Sequence, residues 1–312
     1  MKICVFGSGG VGGYFGARLA QAGLNVTFVA RAKHRSAMAS SGLKVSSISG
    51  DFHLPNVQVI ENPLENAPYD IAFVAVKAWQ VTEAAMALKG TLNKNATVIP
   101  LQNGVGASEQ LIEVLGKEVV ITALCGLISY IKEPGHVCHV GLEPFIKIGE
   151  CDGSSSERVD NLLSLLNNAE GMNVTAPEDI RVSLWLKFLF IVAMSGIGSI
   201  SRAPIGVTRE NNETRRLLEE CVREAYDVGC AHGVALPSDS VELTMRMIDR
   251  APADATASMQ RDIIDGKPSE LYDQNEAVKR LGIEAGIDTP VNSFICAALS
   301  PLENRARGLL VF

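Results

Sequence analysis

The chain is predicted to be an α/β protein in two parts: an N-terminal domain with a mostly parallel sheet, then an all-helical C-terminal domain. Three observations predict this. Short apolar, β-type runs alternate with helical stretches through the first half, the pattern of βαβ units. A glycine cluster stands between the first run and the first helical stretch. Past Pro177 only helical spacing remains, so the boundary is set there, giving domains of residues 1–176 and 177–312.

The runs that predict strands are 2–6, 26–30, 71–76, 97–101 and 119–123. Residues 11–22 predict the first helix, with Gly23 placed to end it, and 80–88 and 107–115 predict two more. Residues 126–150 are rich in β-branched side chains around Pro134-Gly135, which predicts a hairpin extending the sheet in antiparallel fashion. A last strand is expected over 172–175. Helices follow over 215–232, 238–249, 255–265 and 270–281, with Gly233, Gly266 and Gly282 at or near their ends.

The segment 183–200 carries a single charge, Lys187. Its length is at the lower limit for crossing a bilayer and its body holds a lysine, so it reads as a buried helix of a globular domain. The N-terminal MKICVFGSGG lacks the charged, apolar and cleavage regions of a signal peptide, and the seven cysteines are scattered with no C-x-x-C pair. Reduced thiols in a cytoplasmic protein are expected. A net charge of −7 argues against sequence-independent nucleic-acid binding, which needs excess Lys and Arg, and favours a small-molecule ligand.

Gly7-Ser8-Gly9-Gly10-Val11-Gly12 fits G-x-G-x-x-G between a strand and a helix. The first glycine makes the tight turn, the second lets a pyrophosphate approach the backbone, and the third allows close helix–strand packing. The phosphates would then lie on the helix N-terminus, and the domain is of Rossmann type. A glycine-rich turn kept for backbone reasons is the bland alternative. Where a dinucleotide fold usually carries an acid for the ribose 2'-hydroxyl, this chain has Arg31, followed by Lys33, His34 and Arg35. A guanidinium fork there suits a 2'-phosphate, so NADPH is the expected cofactor, against the alternative of a solvated basic loop.

Two further strands end in polar residues on the edge that carries the glycine turn: one at Lys77, the other at Gln102-Asn103-Gly104. Lys187 is the residue expected to carry chemistry. An ammonium in an apolar helix is costly to bury and hence tunable, and ketone reduction needs a proton for the developing alkoxide. The alternative is a lysine that snorkels to the surface. His136 and Cys138 alternate with His139 along the hairpin, so no shared metal is expected.

These residues together resemble the ketopantoate reductase (2-dehydropantoate 2-reductase) family over essentially the full length. The resemblance rests on GSGGVGG, Arg31, VAVKAWQ around Lys77, LQNGVG around Asn103, LWLKF around Lys187, ASMQRDI around Ser258, Glu270 and TPVN. It implies an NADPH-dependent oxidoreductase that reduces ketopantoate to pantoate on the route to pantothenate and coenzyme A. By position, it implies Lys187 as general acid and Glu270 as the acid that orients it and the substrate hydroxyl. Ser258 would contact substrate, and Asn103 and Lys77 would stand at the nicotinamide end. Glu270 as a helix N-terminal charge and Ser258 as a surface serine are the plain alternatives.

The family pattern has asparagines four and eight residues after the lysine; here those positions hold Ile191 and Ser195, and Ala255 replaces another. Lys187, Ile191 and Ser195 share a helix face, predicting a more apolar substrate wall. A paralogue reducing a different 2-keto acid is therefore the second reading, and a non-catalytic NADPH-binding sensor the third. Homodimers are common among similar enzymes.

Overall fold

A computed structural model of the chain describes residues 1–311 and divides it into two compact units. The first comprises Met1–Gln102 and Ala107–Arg181; the second comprises Asn103–Gly106 and the chain from Val182 onward. The division falls five residues beyond the expected 176/177, and the Asn103–Gly106 segment joins the helical unit although its sequence neighbours do not.

The first unit opens with β1 (Lys2–Phe6), α1 (Gly10–Gln21), β2 (Asn25–Val29) and α2 (Ala32–Ser41). Next come β3 (Leu43–Ser47), β4 (Phe52–Leu54), β5 (Gln58–Ile60), β6 (Tyr69–Val74), α3 (Val81–Leu88), β7 (Leu92–Pro100) and α4 (Ala107–Leu115). It closes with β8 (Thr122–Glu133), β9 (His136–Gly149), α5 (Glu157–Leu166) and β10 (Asn173–Thr175). One sheet has the order β5-β2-β1-β6-β7, every pair parallel. Its centre is buried on both faces, hence the unbroken apolar ICVF of β1 and IAFV of β6.

The hairpin does not extend this sheet. β8 and β9 pair antiparallel around Gly135, whose φ of +80° suits the turn, and β9 then pairs in parallel with β3 and β10. The result is a second five-stranded sheet, β10-β9-β3-β4 with β8 on β9. The expected strand 119–123 gives the first sheet only a single parallel bridge, Val98 to Val120, before β8 begins. The reason is length: strands of 12 and 14 residues satisfy more backbone by pairing with each other than by joining a short edge. β3, β4 and β5 had no clear sequence signal because they are short and partly polar, and β4 has no buried residue at all.

Glu150, at the end of β9, receives Arg158 Nε at 2.8 Å and Nη2 at 2.5 Å, together with the Ser156 hydroxyl at 2.5 Å. Ser156 also caps α5 by accepting from Val159 N. The Arg158 hydrogen bond holds the Glu150 carboxyl below its ordinary range.

The second unit is helical: α6 (Ile180–Ser201), α7 (Ile205–Glu210), α8 (Asn212–Ala231), α9 (Ser240–Arg250), α10 (Ser258–Ile264), α11 (Asn275–Ala285) and α12 (Pro290–Ala306). By length and composition α6 is the one described helix able to cross a membrane, yet 56% of its most apolar window is covered by protein. Its Trp185, Phe188, Leu189 and Val192 meet Leu218, Cys221 and Val222 of α8 and Ile295 and Leu299 of α12 in one core.

The TPVN motif starts α12, with Pro290 in its first turn. The buried Glu224 of α8 reaches this N-terminus, accepting from Val291 N at 2.7 Å, Asn292 N at 2.9 Å and Asn292 Nδ2 at 2.7 Å. Asn275 continues the chain of contacts, donating to Asn292 Oδ1 at 2.9 Å and to the Val192 carbonyl of α6 at 3.2 Å. All seven cysteines are free; burial pushes the Cys4 thiol up to about 12 and those of Cys221 and Cys296 higher still.

Glu224→Ala leaves two N–H groups at a buried helix start without their acceptor. Urea unfolding is expected to show a loss of about 2–4 kcal/mol, since hydrogen bonds to a charged group contribute roughly 1.5–3 kcal/mol each and water recovers part. Glu150 gives a pH signature. Its depressed carboxyl contributes stability that is present above the unfolded carboxyl pKa of about 4.3 and is lost as pH falls through the lower folded value. Thermal melts of Glu150→Gln should therefore fall below the native protein at pH 7, with the gap narrowing as pH falls below the unfolded carboxyl value.

Candidate active site

The glycine turn lies between β1 and α1 in the first unit. Gly7 has φ +96° and lies against Val76, where a Cβ would stand 2.7 Å from Cγ1. Gly12 presses on the turn itself, with Gly7 O 2.2 Å from its missing Cβ and Ala75 Cβ at 2.9 Å. Gly9 differs: no described atom lies within 4 Å of its Cβ position. Gly9 also precedes the first turn of α1 and has no side chain to cap it, so the helix's initial N–H groups face an approachable surface. That combination fits a pyrophosphate.

Ser8 fastens the turn to its neighbouring strand. Its hydroxyl donates to Val29 O at 3.0 Å, and the N–H groups of Gly7 and Ser8 reach the same carbonyl at 3.2 Å, locking the turn onto β2. Gly10 and Gly13 serve the second sheet: their missing Cβ atoms would stand 2.7 Å from Ser129 O of β8 and 2.8 Å from Val137 Cγ2 of β9. Val11 is half-buried at the start of α1 and packs against the first core.

Arg31 follows β2, as expected, and precedes α2, a helix the sequence did not signal; it forms an ion pair with Glu83 of α3, Nη2 to Oε1 at 2.7 Å. Both side chains are more than half exposed, so the pair is worth only about 0–1 kcal/mol and exchanges readily for another anion. Lys77 stands immediately before the short 3-10 turn (Ala78–Gln80) after β6, its Nζ 5.8 Å from the Trp79 ring centroid. Gln102 pins that strand end, its amide nitrogen donating to Val74 O and Val76 O.

In the second unit, Lys187 and Asn103 meet. Lys187 Nζ donates to Asn103 Oδ1 at 3.0 Å; the amide oxygen is the only side-chain atom of asparagine that can accept from an ammonium. Lys187 is half-buried, neither sunk in the core nor stretched into solvent. Gly104, at φ +100°, brings this loop against the backbone of the 270–274 turn, with Asp273 O 2.7 Å from its missing Cβ.

Glu270 sits on that turn and not on a helix. The expected helix over 270–281 begins only at Asn275, because Gln274, at φ −113° and ψ −95°, breaks the spiral. The Glu270 carbonyl accepts from Asp273 N and Gln274 N, and its buried carboxylate accepts from Gln274 Nε2 at 3.3 Å.

Along α6, Ile191 is half-buried and Ser195 buried. Ser258 is half-buried at the first position of α10. The expected helix over 255–265 is shorter than the spacing suggested; Ala255 lies outside it and offers its carbonyl to Ile205 N at the start of α7. The structure therefore joins Lys187, Asn103 and the Glu270 turn in one unit, and the glycine turn, Arg31 and Lys77 in the other. Glu83, Asn275, Asn292, Glu224 and Glu303 were missed by sequence reasoning, since charged and amide residues at helical spacing read as solvated faces. His136 and His139 bond to Ser46 and Ser47 of β3, and among the described residues no three His, Cys, Asp or Glu form a metal-ligand group.

Comparison with known proteins agrees with this architecture. The model of the ketopantoate reductase PanE/ApbA family matches residues 3–153, and that of its C-terminal domain matches residues 179–303. A 2-dehydropantoate 2-reductase of Archaeoglobus fulgidus is 31% identical over 294 residues, covering 93% of this chain and 94% of the relative. The oxidoreductase YkpB of Bacillus subtilis, described as uncharacterized, is 28% identical over 291 residues, 92% of this chain and 95% of its own. The crystal structure of a PanE/ApbA family ketopantoate reductase from Ralstonia eutropha superposes with a TM-score of 0.89 at 30% identity, covering 98% of this chain and all of the other. With both halves matched and the likeness running nearly end to end, the chain belongs to the ketopantoate reductase family of oxidoreductases.

Proposed function

We propose that this chain is an NADPH-dependent reductase of a small 2-keto acid, with ketopantoate the first substrate to test and Lys187 the proton donor. The observation that carries the reading is the Lys187 ammonium on an apolar helix, oriented by Asn103 at 3.0 Å in the same unit as the buried Glu270. A pure NADPH binder needs none of these three.

The open Gly9 and the N-terminus of α1 would hold the pyrophosphate, and Arg31 the 2'-phosphate. NADPH, when bound, supplies the hydride for the carbonyl carbon. Lys187 Nζ polarises the carbonyl oxygen and gives it a proton as negative charge develops there. Asn103 fixes the direction of that donor. Glu270 accepts a hydrogen bond from a substrate hydroxyl and offsets the ammonium charge. In this scheme the first unit is the cofactor domain and the second the catalytic and substrate domain.

Ile191 favours a second reading of the substrate. It is half-buried one helical turn beyond Lys187 where the family pattern expects an amide, and Ser195 and Ala255 replace two others. A site that loses amide partners binds a hydroxylated 2-keto acid less well and an apolar 2-keto acid relatively better.

Following NADPH absorbance with ketopantoate and a panel of branched and aromatic 2-keto acids tests both readings. Turnover of ketopantoate at least tenfold above the panel supports the first, and the reverse order the second. Lys187→Ala should lower kcat by about 10²–10⁴-fold, the usual contribution of a placed general acid, with the NADPH dissociation constant unchanged. Tight NADPH binding with no turnover on any acid would instead indicate a sensor. For the cofactor, Arg31→Ala should weaken NADPH by about 10–100-fold and leave NADH nearly unaffected, because a charge-assisted contact is worth roughly 1.5–3 kcal/mol. Glu83→Gln should tighten NADPH a few-fold by removing the carboxylate that competes for Arg31; calorimetric titration reads both.

A further inference from the structure

We propose that Glu303, near the C-terminal end of α12, is a positioning residue for Glu270 and acts through Ser269. The proposal rests on the reading that Glu270 meets the substrate.

Glu303 is 1% exposed, and a carboxylate that deep must be met by donors. Two of its three described donor groups belong to one residue 34 positions earlier. Ser269 N lies 3.1 Å from both carboxylate oxygens, and Ser269 Oγ donates to Oε2 at 2.5 Å. Arg307, one turn further along the chain, donates to Glu303 Oε1 at 2.6 Å and to the Ser269 carbonyl at 3.1 Å. The N–H, the carbonyl and the hydroxyl of Ser269 are thus all held by side chains from the end of α12, and Ser269 itself is fully buried.

The residue so held is the one before Glu270. On its other side the Glu270 carbonyl is fixed by the N–H groups of Asp273 and Gln274 at 3.1 and 3.0 Å. The Ser269 hydroxyl also accepts from Leu271 N at 3.3 Å, so it spans the peptide that carries Glu270. The backbone of Glu270 is therefore pinned from both sides, leaving its side-chain torsions as the principal freedom. Pinning matters for function because a carboxylate displaced by about 1 Å from its substrate can lose about 10²-fold in rate. An anchor needed only for stability could have gripped any part of the 265–274 segment.

The experiment is a double-mutant cycle on the holoenzyme. The substrate is ketopantoate or, if another acid of the panel is reduced faster, that acid. Ser269→Ala removes the hydroxyl while the backbone N–H and Arg307 still meet Glu303. It is expected to lower kcat/KM by about tenfold with the NADPH dissociation constant unchanged, Ser269→Thr is expected to restore it, and Glu303→Gln is expected to lower it further. In a Glu270→Ala background, Ser269→Ala should change kcat/KM by no more than about twofold, because its effect passes through a carboxylate already gone. Equal losses in both backgrounds, or a lower melting temperature with kcat/KM intact, would overturn the proposal and leave Glu303 as a structural staple. Wild-type turnover by Glu270→Ala alone is a separate result: it removes Glu270 from the chemistry, and the positioning role falls with it.

Discussion

An ammonium group carried by a helix built for the core must find an oxygen. α6 buries Trp185, Phe188, Leu189 and Val192, and Lys187 emerges between them half-covered. Its partner, Asn103, arrives from a four-residue segment lying far away in sequence but belonging to the same compact unit. Gly104 makes the approach possible, since its backbone conformation and lack of a side chain let the loop lie against the 270–274 turn. Because this hydrogen bond joins the helix to the loop, and the loop rests on the turn, the placement of three chemical groups follows from satisfying one charge.

The same economy of partners runs through the rest of the helical unit. α12 is held at both ends by buried carboxylates. Glu224 meets the free N–H groups at its start, and Glu303 grips the Ser269 turn near its finish. Asn275 and Asn292 join α11, α12 and α6 between these points. Buried polar groups of this kind fix direction as well as position, which an apolar contact cannot do.

Much of this was legible in the sequence, for identifiable reasons. Strong periodicity and a glycine turn placed β1, α1 and the parallel sheet, and the uninterrupted apolar character of the segment around Lys187 marked a core helix. The second sheet was not legible, because strand pairing between 43–47 and 136–149 is a long-range choice that no local pattern encodes. The Glu270 helix was misjudged since helical spacing of side chains continued through a turn whose backbone had already left the spiral. At the glycine cluster the pattern showed which residues lack side chains but not which surface each approaches. Only the fold distinguishes Gly9, which is open, from Gly10 and Gly13, which lie under β8 and β9.

The buried thiols give the molecule a set of internal clocks. Cys4 lies in the middle of the first parallel sheet, whereas Cys221 and Cys296 lie in the helical core, and burial suppresses the thiolate at all three. Alkylation needs that anion, so a maleimide meets each sulfur only when the surrounding structure opens. Labelling rates at Cys4 and at Cys221 and Cys296, read peptide by peptide, therefore time the opening of the two halves separately.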